Sequence, residues 1–247
     1  MTAKTNLIVL LLFFAGGILW AQHNNPSDGF VANYMTNAKE FAALYTGKAE
    51  TPYYVTFTNH PYFEQDNYVS GTICYNRVVY QNVLMRLDLY RDEITVISPD
   101  KPYRVVLNNE KFNYAVIHGA TIIKSDDEKK SKTKFHILLH SGTYPVVKQY
   151  NLIIREESSS LDRVVRRSFL IYQQYAILID GKPYTVKNKN SILKLFPDRK
   201  KELNEYAKQH KLDFYKRTEQ SIISLVDHYE TLTNSTQKTQ IYADSRR

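Results

Sequence analysis

The sequence predicts an α+β protein: a curved antiparallel β-sheet, as a sandwich or half-barrel, with a small helical C-terminal element. Three observations carry this. From Tyr53 to about Val186 the apolar residues recur mainly with period two. Turn dipeptides at Asn76-Arg77, Ser141-Gly142 and Asp180-Gly181 punctuate that stretch. After Val186 the period becomes helical.

The first residues form an export signal. Lys4 supplies positive charge, and Leu7–Trp20 is an uncharged apolar run, followed by Ala21-Gln22 and then polar sequence. The run is short for a membrane span, which takes about 20 apolar residues. Cleavage is expected after Ala21, although Leu19 is larger than the residue usual two positions earlier. No Cys follows the run, so no lipid-bearing Cys is expected. Residues 1–21 are thus read as a signal peptide. Residues 22–49 are read as a lead-in with a short helix over Thr36–Tyr45, where Ala38, Phe41, Ala42 and Tyr45 have helical spacing.

The first β region covers 50–123. It begins with a strand at Tyr53–Thr58, then Gly71–Tyr75, the Asn76-Arg77 turn and Val78–Tyr90. In the last, Val83, Met85, Leu87 and Leu89 fall on one face and Leu84, Arg86, Asp88 and Tyr90 on the other. Strands at Ile94–Ile97, Tyr103–Leu107 and Lys111–Ile117 follow. Lys124–Lys134 has no apolar residue and reads as a charged loop at the boundary between halves. The second β region, 135–186, holds two hairpins. Phe135–Leu139 pairs with Tyr144–Ile154, where Pro145 predicts an edge or a bulge. Ser168–Ile179 pairs with Pro183–Val186 across Asp180-Gly181, a dipeptide suited to the tight two-residue turn.

Residues 187–233 carry three helices. Asn190 or Ser191 is expected to cap Ile192–Phe196, and Pro197 opens a helix reaching Gln209. Thr218 is expected to cap Glu219–Leu232, with Ile222, Leu225, Val226, Tyr229 and Leu232 as its apolar stripe. Residues 234–247 are polar and read as a flexible tail.

Cleaving 21 of 247 residues leaves 226, enough for one large domain, and 43% hydrophobic residues suffice for a core. Cys74 is the only cysteine, so no internal disulfide forms. Charge is uneven: residues 23–119 carry 8 Lys/Arg and 10 Asp/Glu, net −2, whereas 120–217 carry 21 and 11, net +10. Export argues against nucleic acid as the partner of that basic half and leaves an envelope protein or an anionic membrane surface. Lys187, Lys189, Lys194, Arg199, Lys200, Lys201, Lys208 and Lys211 concentrate the charge on the C-terminal helices. No transmembrane segment is expected after signal cleavage.

The segments Leu44-Tyr45-x-Gly47, His60-Pro61-Tyr62-Phe63, Gly71-x-Ile73-x-Tyr75, Asn82-Val83, Leu87-Asp88 and Asn109-x-Lys111-Phe112 form one set. Asp180-Gly181-Lys182-x-Tyr184-x-Val186, SILKLFPDRKKELNEYAKQHKLDF and Asp227-His228-Tyr229 form a second. With them the chain resembles an uncharacterised family of secreted/periplasmic proteins of unknown function from Bacteroidota-type bacteria. The resemblance implies a shared fold and export, and no activity. Asn76-Arg77 departs from it, because the family often places Gly in that turn; a looser turn or another type is expected there.

No Gly-x-Ser-x-Gly elbow, phosphate-binding glycine loop or His-Glu-x-x-His occurs. His136 and His140 would suit a metal on a helix. On a strand they stand about 13 Å apart, too far to share one. Asp126-Asp127-Glu128 lacks the central Gly of a calcium loop. Cys74 reads as a buried thiol with no histidine placed beside it. Asp88 shares its strand face with Arg86, which predicts a structural ion pair between them. No catalytic, cofactor-binding or metal residue is therefore assigned. The expectation is a non-catalytic, exported envelope protein that binds a partner. A periplasmic carrier of an apolar ligand is the alternative, then an unrecognised hydrolase in which Asp88, His60 or His136 would act.

Overall fold

The computed structural model describes residues 43–99, 103–125, 134–158 and 164–244. The expected signal peptide, the lead-in before Ala43 and Asp126–Glu128 lie outside them. Of the expected helix over Thr36–Tyr45, only the 3₁₀ turn Ala43–Tyr45 is described, with Leu44 fully buried.

The strands are β1 (Lys48–Ala49), β2 (Val69–Tyr75), β3 (Val78–Asp88), β4 (Glu93–Ile97), β5 (Arg104–Val106) and β6 (Phe112–Ile117). They continue as β7 (Ala120–Lys124), β8 (Phe135–His140), β9 (Val146–Ser158), β10 (Val165–Ile179) and β11 (Lys182–Val186). All eleven join in one antiparallel sheet in the order β1-β5-β4-β3-β2-β6-β7-β8-β9-β10-β11. A sandwich needs two stacked sheets, so the curved single sheet is the form adopted. The charged loop expected between two halves instead joins neighbours: β7 pairs with β8 on its two sides, with Ser125 N–H donating to Lys134 O at 2.8 Å.

Three hairpin turns place both central residues in the left-handed region that matches sheet twist. They are Asn76-Arg77 (φ 53° and 64°), His118-Gly119 (52° and 75°) and Asp180-Gly181 (51° and 74°). The first is as tight as the others without glycine. Asn113 Oδ1 accepts from Arg77 N at 2.9 Å, and Asn76 N donates to Lys111 O at 2.6 Å. The second turn and β7 go unread in the sequence pattern. Pro145 stands just before β9, and the β8–β9 register shifts opposite it, between Leu138 and His140. That is the bulge a proline in this strand requires.

The expected strand at Tyr53–Thr58 does not form. Residues 50–68 instead run as an irregular strap. Thr58 N–H donates to Arg167 O at 2.9 Å, and the Asn59 amide both donates to Phe169 O (2.9 Å) and accepts from Phe169 N (2.8 Å). A few residues on, Phe63 N donates to Leu87 O (3.0 Å), and Leu89 N donates to Pro61 O (2.9 Å). The strap thus ties β10 to β3. These strands lie six inter-strand steps apart in the sheet order. A flat sheet would separate them by about 29 Å, whereas five residues reach at most about 17 Å. The sheet must curl for both sets of bonds to form. Met85, Leu87, Ile73, Ala115 and Ile122 are buried on the inner face, joined by Phe63 from the strap.

The helices are α1 (Lys189–Leu195), α2 (Lys200–Gln209) and α3 (Thr218–Asp244). The α1 cap is Asn188 rather than Asn190 or Ser191. Its side chain accepts from Ser191 N at 3.0 Å while Ser191 Oγ accepts from Asn188 N at 3.1 Å, a reciprocal capping box. Pro197 opens a 3₁₀ turn, Pro197–Arg199, ahead of α2. Thr218 is the first helical residue of α3 and not its cap. Its hydroxyl donates to Phe214 O at 2.9 Å, and Asp213 Oδ1 takes up Tyr215 N and Lys216 N. The helix continues to Asp244, past the Leu232 where the apolar stripe ends, so most of the expected flexible tail is helical. Ile222, Leu225 and Val226 of α3 are fully buried against Val146, Ile177 and Val186 of the sheet. Burying each such side chain contributes about 1.5–3 kcal/mol. No helix among the described residues is long and apolar enough to cross a membrane.

Candidate functional site

Arg86 and Asp88 occupy the β3 face opposite Met85 and Leu87, yet they are 9% and 3% exposed. The strap covers them. Arg86 Nη2 pairs with Glu50 Oε1 at 3.0 Å, and Nη1 reaches Asp66 Oδ1 (2.9 Å) and Asp66 O (2.6 Å). The guanidinium carbon lies 3.5 Å from the Tyr62 ring centroid and 4.4 Å from that of Tyr68. Tyr68 Oη donates to Glu50 Oε2 at 2.9 Å, and Arg104 approaches the same oxygen at 3.6 Å. A buried charge needs such complete pairing to be tolerable. One atom escapes it: Arg86 Nε–H is buried without an acceptor.

The expected Arg86–Asp88 ion pair is therefore not what forms. Asp88 accepts from Tyr53 Oη (2.8 Å), Tyr90 N (2.9 Å) and Arg91 N (2.9 Å). Desolvation nevertheless holds its carboxyl above the ordinary range, against those hydrogen bonds. Burial, followed by the Asp88 bond, pushes the Tyr53 phenol up. The Arg91 guanidinium covers the Tyr53 ring at 3.9 Å.

Beside this network lies an open cleft of about 490 Å³. One wall is aromatic. Phe57 stacks on Phe169 at 4.2 Å, Tyr53 meets both edge-on, and Tyr62 lies 6.5 Å from Tyr53. The lining is also polar, with Asp66, Asn67 and Arg104 exposed. Sequence periodicity missed Glu50, Tyr53, Phe57, Asp66, Tyr68 and Arg104. The available signal was a charged pair inside the apolar run VLMRLDL, downstream of a segment crowded with tyrosine and proline.

The other singled-out residues are dispersed. His60 lines the cleft; its Nδ1 accepts from Tyr62 N at 3.3 Å and its ring stacks on Tyr62. His136 and His140 do lie on a strand, β8, as expected. His136 is 1% exposed with its Nε2 3.0 Å from Gln149 Nε2. His140 Nε2 is 3.5 Å from Glu230 Oε2 of α3. Glu230 also accepts from Tyr144 N at 2.7 Å, and a Cβ on Gly142 would collide with its carboxylate, so α3 clamps this hairpin turn. Cys74 is buried with its Sγ 3.7 Å from Asn113 Oδ1. No group of three metal-ligating side chains occurs among the described residues.

A second surface carries the basic charge. Lys187, Lys194, Lys200, Lys201, Lys208 and Lys211 are exposed and form no ion pair among the described residues, and Tyr215 beside them is 92% exposed. The apolar sides of the same helices, Leu193, Leu203 and Ala207, face the core. Lys189 is different: its Nζ donates to Asn204 at 2.8 Å and ties α1 to α2. No protein-family model, no curated protein and no solved structure matches this chain.

Proposed function

We propose that the chain is an exported, non-catalytic binding protein of the cell envelope that attaches to an anionic membrane surface through the lysines of its C-terminal helices. The observation that carries this reading is the set of exposed lysines that form no ion pair among the described residues, carried on and beside helices whose other faces are fixed in the core. Each lysine near an anionic surface contributes about 1 kcal/mol, and an amphipathic tyrosine such as Tyr215 suits the interface. Non-catalytic action is supported by the strap network. Glu50, Arg86 and Asp88 spend their hydrogen-bonding groups on protein partners. The carrier alternative has less support, because side chains such as Met85, Leu87 and Ile122 fill the inner face of the sheet, with Phe63 added from the strap.

The test is co-sedimentation with vesicles of phosphatidylethanolamine and phosphatidylglycerol. Binding is expected at low salt, release at about 0.5 M NaCl, and loss in a Lys200→Glu, Lys201→Glu, Lys208→Glu variant. Full recovery in the supernatant at low salt overturns the reading. So does binding that survives both high salt and charge reversal.

A further inference from the structure

The cleft beside Arg86 is built from different elements than the lysine surface, and its chemistry is different. We propose that this cleft binds a neutral carbohydrate, with a sugar ring against the aromatic wall and hydroxyls bridging Asp66 and Arg104. Four observations converge on that class.

The formal charges cancel. Glu50 and Asp66 oppose Arg86 and Arg104, so no net field recruits an ion. The rim still offers unspent hydrogen-bonding capacity of both kinds. Asp66 is 66% exposed and commits Oδ1 to Arg86, leaving Oδ2 as an acceptor. Arg104 is 54% exposed and meets Glu50 only at 3.6 Å, leaving N–H donors. Asn67 adds an exposed amide. A hydroxyl both donates and accepts, so sugar hydroxyls match a cleft lined by both a carboxylate and a guanidinium.

Aromatic rings supply the complementary half. A sugar ring has a C–H face, which is attracted to the electron-rich face of Tyr or Phe. Phe57 provides such a ring in the cleft, backed by Phe169 and flanked by Tyr53 and Tyr62, each of which has a guanidinium over its own ring. A volume of about 490 Å³ suits a small ligand. An extended peptide is the poorer match, because the backbone groups it would pair with are taken. Asn59 occupies Phe169 N and O, and the strap occupies Leu87 O and Leu89 N.

The experiment is saturation-transfer NMR on the full chain against maltotriose, cellotriose and chitotriose. An acidic galacturonic trisaccharide and a neutral tetrapeptide serve as comparators. At least one neutral saccharide should bind, with contacts on its ring protons. Phe57→Ala should weaken it about three- to tenfold, and Arg104→Gln by tenfold or more. Val79→Ala, on an exposed β2–β3 site away from the cleft, should leave it unchanged. Circular dichroism melts establish that each variant folds. Asn67→Ala replaces any variant that does not, and it should likewise weaken binding. No binding by any neutral saccharide up to about 10 mM overturns the proposal. So does binding indifferent to all three cleft variants, or preference for the acidic saccharide or the peptide. None of these outcomes depends on vesicle binding, so this proposal and the membrane reading fail separately.

Discussion

The curled sheet has two covers held by different forces. At the C-terminal end, three helices lay an apolar stripe onto β9, β10 and β11, and Ile222, Leu225 and Val226 are fully buried there. At the other end, an irregular strap covers Arg86 and Asp88 with carboxylates, phenols and backbone carbonyls. The helical cover is additive and tolerant: each side chain contributes its own buried area. The strap is cooperative and brittle. Removing one partner leaves another buried charge unpaired. That difference explains why one cover was visible as a period and the other was not.

The contrast can be broken most severely at Arg86. Arg86→Ala leaves Glu50 buried without its guanidinium, and a loss of about 3–5 kcal/mol in urea unfolding is expected. Glu50→Ala combined with it should cost less than the sum of the two single changes, because the orphaned charge goes too. Additive losses would show that the strap is not a network. In hydrogen exchange, the amides of Phe63 and Leu89 should lose protection first, since both bridge strap and β3.

Leu225→Ala attacks the other cover. A loss of about 3 kcal/mol is expected from the lost burial and the cavity left behind. Its exchange signature should fall on α2 and α3 and spare Phe63. A common pattern for both variants would mean that the two covers unfold as one unit.

The strap should also respond to pH in the acid range. Asp88, under the strap, is held above the ordinary carboxyl range by desolvation before anything else. An acid whose folded pKa is raised binds its proton more tightly when folded. Its contribution is therefore a penalty, absent below the unfolded pKa and complete above the folded one. Between those two values stability should fall as pH rises. Asp88→Asn should flatten that part of the curve in thermal melts at a series of pH values. An unchanged slope would place the titration elsewhere.

The smallest effect lies outside both covers, in the turn that lacks glycine. Arg77 is exposed with φ 64°. Arg77→Gly relieves the left-handed penalty but frees the unfolded chain, for a net gain of about 0.5 kcal/mol. A small rise in the thermal midpoint checks it; a fall would mean the Arg77 side chain contributes more than its backbone costs.

Where pattern and structure agree, one local force governs. Val83, Met85 and Leu87 alternate because one β3 face is apolar core, and Asp180-Gly181 turns because both residues accept positive φ. Where they disagree, a distant partner decides. Tyr53–Thr58 alternates like a strand, yet Pro52 and Pro61 flank it and its hydrogen bonds go to β10 through Thr58 and Asn59. Arg86 suggested Asp88 as its partner by proximity in sequence. Its real partners, Glu50 and Asp66, are 36 and 20 positions away. Nothing periodic links such positions.

The sequence by itself determined an antiparallel sheet followed by amphipathic helices, with a basic C-terminal surface. Periodicity and charge are local properties, and local steric and solvation forces read them directly. Only the tertiary structure decided that the sheet curls, that strap residues 58–63 join β3 to β10, and that the polar β3 face becomes interior. Those outcomes depend on hydrogen bonds and ion pairs between distant residues. Their free energy exists only once the chain has brought both partners out of water together.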